Sequence, residues 1–214
     1  MHDHAVALDG GNRVAPAVAE LRRQTQSLID SGLPALAGCT ADRLRRLAGA
    51  LEPLLPQDAA ADSVILVPGR QLAPAHRLVE LARLAGRPGF TSMPGEDLAR
   101  FVPTPEVAVP EQEMWLIVDV DTGAGTLGVR PNDALPEILA SGRTPLTLEE
   151  GVAVALAHPE WLRERNCFQM LGSRAGDKRV TGMWVSKGAP RLGWCWGGNP
   201  HSWLGMATAG GRLG

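Results

Sequence analysis

Tyrosine is missing from this chain altogether and phenylalanine occurs three times, so six tryptophans carry nearly all of its aromatic surface. Excess positive charge is missing as well. Twenty-one Lys and Arg stand against 23 Asp and Glu, for a net charge of -2 and a pI near 6.2. That balance lacks the basic footprint that phosphate backbones require, and it excludes nucleic acid from the expected partners. Long apolar runs are absent too. Val64-Ile65-Leu66-Val67 and Met114-Trp115-Leu116-Ile117-Val118 fall far short of the roughly 20 residues of a bilayer span, so no membrane is expected. The start, Met1-His2-Asp3-His4-Ala5, lacks the basic and apolar segments of a secretory signal. Cysteine is scarce: Cys39, Cys167 and Cys195 match neither a disulfide framework nor a CxxC zinc pair. Together these features predict a cytoplasmic protein without disulfides.

Apolar residues make up 44% of the 214 and charged residues 21%, the composition of a chain that folds. We expect a loose tail over 1–15 and one α+β domain over 16–214. The apolar stripe Val18, Leu21, Thr25, Leu28 predicts a helix from 18 to 29, stopped at Gly32. Thr40 caps a second expected helix with the face Leu44, Leu47, Ala48, Leu51. Residues 64–67 read as a buried strand, followed by a helix from Pro74 through Ala82 that ends near Gly86. The proline-rich stretch 88–110 reads as irregular. Residues 115–120 and 126–129 flank Asp121-Thr122-Gly123-Ala124-Gly125 as an expected hairpin. A short helix over 133–140 follows, capped by Asn132. Thr147-Leu148-Glu149-Glu150 is a capping box that opens a helix reaching His158. Residues 180–186 and 191–196 form a second expected hairpin, and a glycine-rich surface segment completes the chain. Helices come early and strands late, which predicts a helical N-terminal part packed on a mixed, largely antiparallel sheet.

Two segments carry the chemistry that this reading singles out. In Leu192-Gly193-Trp194-Cys195-Trp196-Gly197-Gly198-Asn199-Pro200-His201-Ser202-Trp203, strand alternation puts Trp194 and Trp196 on one face and Cys195 on the other. Either the indoles fill the core, or they wall a ligand pocket with Asn199 and His201 at its rim. Cys195 is a candidate nucleophile and His201 a candidate base. The second segment, Gly172-Ser173-Arg174-Ala175-Gly176-Asp177-Lys178-Arg179, joins loose backbone to cationic donors. Arg174 and Arg179 would hold a carboxylate or phosphate, with Asp177 as acid or base; the alternative is a solvated turn with local ion pairs. Asp119 and Asp121 alternate at the end of a strand and could bind a metal or share a proton, but the turn opening Asp121-Thr122-Gly123 is the favoured reading; His76 and His158 read as isolated structural groups. There is no zinc constellation, Rossmann fingerprint, Walker loop, nucleophile elbow or HExxH, so neither a metal nor a cofactor is expected.

The strings "VDVDTG", "VRPNDALPEIL", "RTPLTLEEGVA", "LGSRAGDKRV" and "LGWCWGGNPHSWLG", with "GLPALAG" and "GRPGF" upstream, resemble a family of actinobacterial proteins classified only as a domain of unknown function. The resemblance covers most of the chain and implies a cytoplasmic bacterial protein, with no catalytic residue carried over. Met206-Ala207-Thr208-Ala209 stands where the family pattern leads us to expect a further cysteine. The expected function is binding of a small anionic molecule, extending to cofactor-independent catalysis in bacterial metabolism. Its pocket would join Arg174, Asp177 and Arg179 to Trp194, Trp196, Trp203, Asn199 and His201. The alternative is a non-catalytic interaction or regulatory module using an exposed aromatic patch.

Overall fold

Helix α1 (Pro16–Asp30) lays Leu21 and Leu28 into the core, and its buried Gln24 extends the sheet beyond it. Strand β1 (Val64–Pro68) has no strand on that edge, so Gln24 supplies the missing bonds: Nε2 donates to Val64 O at 2.7 Å and Oε1 accepts from Leu66 N at 2.7 Å. The amide thereby satisfies backbone groups that would otherwise be buried and unpaired. The computed structural model describes residues 15–56 and 59–214. The expected tail over 1–15 therefore lies, apart from Ala15, outside the described residues.

After α2 (Leu33–Leu36), α3 (Ala41–Gly49) begins at Thr40, whose Oγ1 accepts from Arg43 N at 3.2 Å as the sequence predicts. The helix expected to run from 74 to 82 is shorter. It consists of α4 (Ala75–Leu78) and one 3-10 turn, after which Ala82 is extended and β2 (Arg83–Leu84) pairs with β3 (Arg87–Pro88). The stretch 88–110 is also more ordered than its prolines imply. It contains β4 (Phe90–Thr91), α5 (Gly95–Ala99) and β5 (Val102–Pro103).

Strand β6 (Met114–Val118) forms as expected, but 126–129 is not its hairpin partner. Both edges of β6 are taken, one by β1 and the other by the C-terminal β14 (Gly211–Leu213), each antiparallel. Residues 123–126 instead form a tight turn held against residues 205–206. Thr126 Oγ1 accepts from Met206 N at 2.8 Å, and a Cβ on Gly205 would lie 2.0 Å from Gly123 O. Helix α6 (Pro131–Ala140) starts two residues earlier than expected, with Arg130 at the cap position and Asn132 inside the first turn.

Beyond β7 (Thr144–Pro145), α7 (Leu148–Ala157) carries both halves of the capping box: Thr147 Oγ1 accepts from Glu150 N, and Glu150 Oε2 from Thr147 N. This helix lies against both β1 and β10 (Arg179–Ser186), so it is covered on all sides and residues 148–155 are buried throughout. β10 pairs with β11 (Ala189–Trp196) as the expected hairpin, in unbroken register from Arg179 opposite Trp196 to Ser186 opposite Ala189. The larger sheet runs β12-β8-β10-β11-β4, with β8 (Cys167–Met170) antiparallel to β10 and the outer strands β12 (Leu204–Met206) and β4 parallel to their neighbours. Short pairs join β9 (Ser173–Arg174) to β5 and β13 (Thr208–Ala209) to β7. The architecture is α+β. The C-terminal segment is not a surface tail: residues 204–209 are buried and strands β12 to β14 belong to the sheets, with glycine at 205 permitting the close approach to residue 123. No helix among the described residues is long and apolar enough to cross a membrane.

Candidate functional site

A helix buried over most of its length leaves its polar residues dependent on the side chains beside them, and α7 carries two adjacent carboxylates. At 3.6 residues per turn they point about 100° apart, so each needs its own partner. Glu150 turns inward. Arg212 Nε and Nη2 donate to its two oxygens at 2.6 and 2.7 Å, Trp115 Nε1 donates at 3.1 Å, and Thr147 N at 2.8 Å. It is saturated.

Glu149 turns toward a cleft of about 220 Å³ lined by Arg70, His76, Gly95, Leu98 and Leu148. Its carboxylate is 5% exposed and meets Arg70 Nη2 at 2.6 Å. Burial pushes its pKa up, opposed by the Arg70 charge, while the Glu150 charge next door pushes it further up. Arg70 spends that same Nη2 on Phe101 O at 2.9 Å, and its Nε and Nη1 make no hydrogen bond among the described residues. Those donors remain for a ligand. His76 comes from α4 and lies over Gly95 at the start of α5, where an added Cβ would sit 2.7 Å from the imidazole Cε1. Glycine at 95 is therefore what lets the ring seat there. Ser173 closes the arrangement: its Oγ accepts from Leu148 N at 3.0 Å at the start of α7. The site thus combines a buried carboxyl with raised pKa, a guanidinium with free donors and an imidazole. Groups so perturbed in a cleft mark candidate functional sites. The fold brings them together from residues 70, 76 and 149, which the sequence reading did not join.

The residues singled out from sequence fall into two groups. Arg179 donates twice to Asp97, at 2.6 and 2.7 Å, and through Nε to Asp177 at 3.0 Å. Its plane lies over Phe101 and Trp194, 5.3 and 5.5 Å from their ring centroids. These hydrogen bonds raise its pKa and hold the Asp97 and Asp177 carboxyls below the usual range. All three of its nitrogens are occupied, so it knots α5 to β10. Arg174, on β9, keeps a buried Nη1 without a partner and faces the Glu106 charge. The β10–β11 register puts Arg179, Trp194 and Trp196 on one face of the sheet and Trp184 on the other. Trp203 packs edge-on against Trp184 with centroids 6.0 Å apart, and His201 against Trp203 at 5.6 Å. Trp203 and His201 are thereby separated from Trp194 and Trp196. The two indoles of that second pair differ: Trp194 is half-buried and packs against the core, whereas Trp196, 4.7 Å from it by ring centroids, is 47% exposed. Asn199 is exposed in the turn after β11, its backbone N donating to Trp196 O. Burial lifts the Cys195 thiol to about 11, against an opposing contact from Gln169. Asp121 opens a turn as expected, its Oδ1 accepting from Gly123 N at 2.8 Å. Asp119 pairs with Arg143 at 2.6 Å.

Neither a curated protein nor a solved structure matches the chain. One protein family does, across residues 27–214, and the chain therefore belongs to that family, described as a family of unknown function (DUF5701).

Proposed function

We propose that the protein binds a small anionic metabolite in the Arg70–His76–Glu149 cleft and moves a proton on it without a cofactor. The observation that carries this reading is Glu149, a carboxyl buried in a cleft and held above its usual pKa opposite an arginine with unused donors. A carboxyl tuned upward exchanges its proton at a higher pH than an ordinary surface carboxylate does, which is the direction general acid–base chemistry needs. Arg70 Nε and Nη1 would pair a ligand carboxylate or phosphate by charge-assisted bonds. The cleft volume lies below the roughly 300–1,000 Å³ of sites for drug-sized ligands, which favours a compact guest. With three free thiols, the setting we infer is the cytoplasm.

A thermal-shift screen of small carboxylates and sugar phosphates tests this. A guest at 100 times its Kd stabilises the native state by about 2.7 kcal/mol. The double variant Arg70→Gln/Glu149→Gln, which leaves no unpaired charge, should keep its fold and lose the shift. A screen with no hit, or a shift retained in the double variant, would overturn the reading. A second reading, an interaction module, draws on the exposed Trp196 beside Trp194. It predicts that Trp196→Ser abolishes partner capture while leaving the metabolite response intact.

A further inference from the structure

We infer that a second cleft, on the far side of the turn after β6, binds a zwitterionic amino acid. It is an open cleft of about 330 Å³ lined by Val120, Asp121, Thr122, Trp161, Arg163 and Asn166, with Asp121 and Arg163 exposed. None of these residues belongs to the Arg70 cleft, so the inference is independent of the proposal above.

The polar groups divide by sign. Asp121 is the one acid of the lining and Arg163 the one base. Asp121 commits Oδ1 to Gly123 N, and Oδ2 makes no hydrogen bond among the described residues. Arg163 is exposed and uses its backbone, not its guanidinium: its N and O exchange hydrogen bonds with Asn166, and its O also accepts from Cys167 Sγ. An ion pair between Asp121 and Arg163 would have cancelled both charges, but among the described residues the Asp121 carboxylate bonds to Gly123 N and not to Arg163. A ligand bearing only an anion would meet Asp121 unscreened, and one bearing only a cation would meet Arg163. A guest with both an ammonium and a carboxylate answers both.

Two further features point the same way. Asn166, on the cleft lining, has an Oδ1 that accepts no hydrogen bond among the described residues, an unmet acceptor beside the site. Trp161 is half-buried, and His158 stacks on one face of its indole at 4.3 Å and 10°. The stacking fixes the ring, which lines the cleft and offers an apolar wall for the guest's side chain. The volume falls within the usual range for small-molecule sites.

The test is calorimetric titration with free α- and ω-amino acids at millimolar concentration, followed by the N-acetyl and carboxamide forms of any that bind. Free amino acids should bind, and blocking either end should weaken binding by about ten-fold or more. Asp121→Asn keeps the Oδ1 acceptor of the turn and should remove discrimination against the N-acetyl form. Arg163→Gln should remove discrimination against the carboxamide. Arg70→Gln/Glu149→Gln should leave all of these titrations unchanged. If no free amino acid binds, if blocked and free forms bind alike, or if both single variants titrate as wild type does, the inference is wrong.

Discussion

Glu149 and Glu150 are adjacent on α7 and both buried, yet Glu150 receives four hydrogen bonds, two of them from Arg212, whereas Glu149 meets a single nitrogen of Arg70. The difference separates a structural carboxylate from an available one. Arg212 is 6% exposed, so removing its partner leaves a buried charge uncompensated. Glu150→Ala should therefore cost about 3–5 kcal/mol. It should also release β14, since Arg212 is the side chain that ties that strand to α7. Urea denaturation gives the free energy, and a loss below about 1 kcal/mol would sink the assignment.

Glu149 should behave oppositely. Its folded pKa lies above its unfolded value, so between the two the folded chain keeps a proton that the unfolded chain has released. Stability contributed by the neutral form is complete below the unfolded pKa and is lost as pH rises through the folded one. Glu149→Gln removes that loss. The variant should match wild type at low pH and gain on it as pH climbs above the ordinary carboxylate range. Melting midpoints measured across pH check this, and a difference independent of pH would mean that the group is ionised normally.

Local chemistry was legible in the sequence and long-range assembly was not. The capping box at Thr147 and the β10–β11 hairpin are each decided by residues within a few positions of one another, and both are present. The hairpin expected at 126–129 failed because β14, nearly 90 residues away, takes the edge that a local partner would have used. The same logic hid the cleft. Arg70, His76 and Glu149 meet only because α7 packs on β1 and brings its N-terminus to the loop that follows that strand. One signal was available: two glutamates inside Leu148–Ala157, a run otherwise of Leu, Val, Ala and Gly, imply a helix buried all round with two charges to satisfy, and the capping box uses only one. The glycine-punctuated loop reaches the same helix, since its Ser173 Oγ accepts from Leu148 N at the start of α7.

Arg179 anchors α5, and with it Leu98 on the wall of the cleft, through Asp97. Arg179→Met should lower the melting midpoint at neutral pH. Asp97 and Asp177 have depressed pKa values, so their contribution is present above the usual carboxylate range and is lost as pH falls through the folded values. The gap between wild type and variant should accordingly narrow on acidification. A gap that stays constant to low pH would assign the loss to stacking on Phe101 and Trp194 alone.

Cys195 tests the nucleophile expected from the sequence. A cysteine attacks as its thiolate, and catalytic cysteines have depressed pKa values beside cations or helix N-termini. Here burial lifts the thiol to about 11, and its cross-strand partner is the buried Val180. At pH 8 the thiolate fraction would be about one in a thousand, against about a quarter for an ordinary cysteine of pKa about 8.5. Native protein should therefore alkylate at Cys195 roughly two hundred times more slowly than denatured protein, and the rate should climb about ten-fold per pH unit from 8 to 10. Peptide mapping after iodoacetamide treatment separates Cys195 from Cys39 and Cys167. A rate that has already levelled off below pH 8 would reveal a depressed pKa and return Cys195 to the list of reactive groups; a slow, steadily rising one removes covalent catalysis at this thiol and leaves proton transfer at Glu149 as the chemistry to pursue.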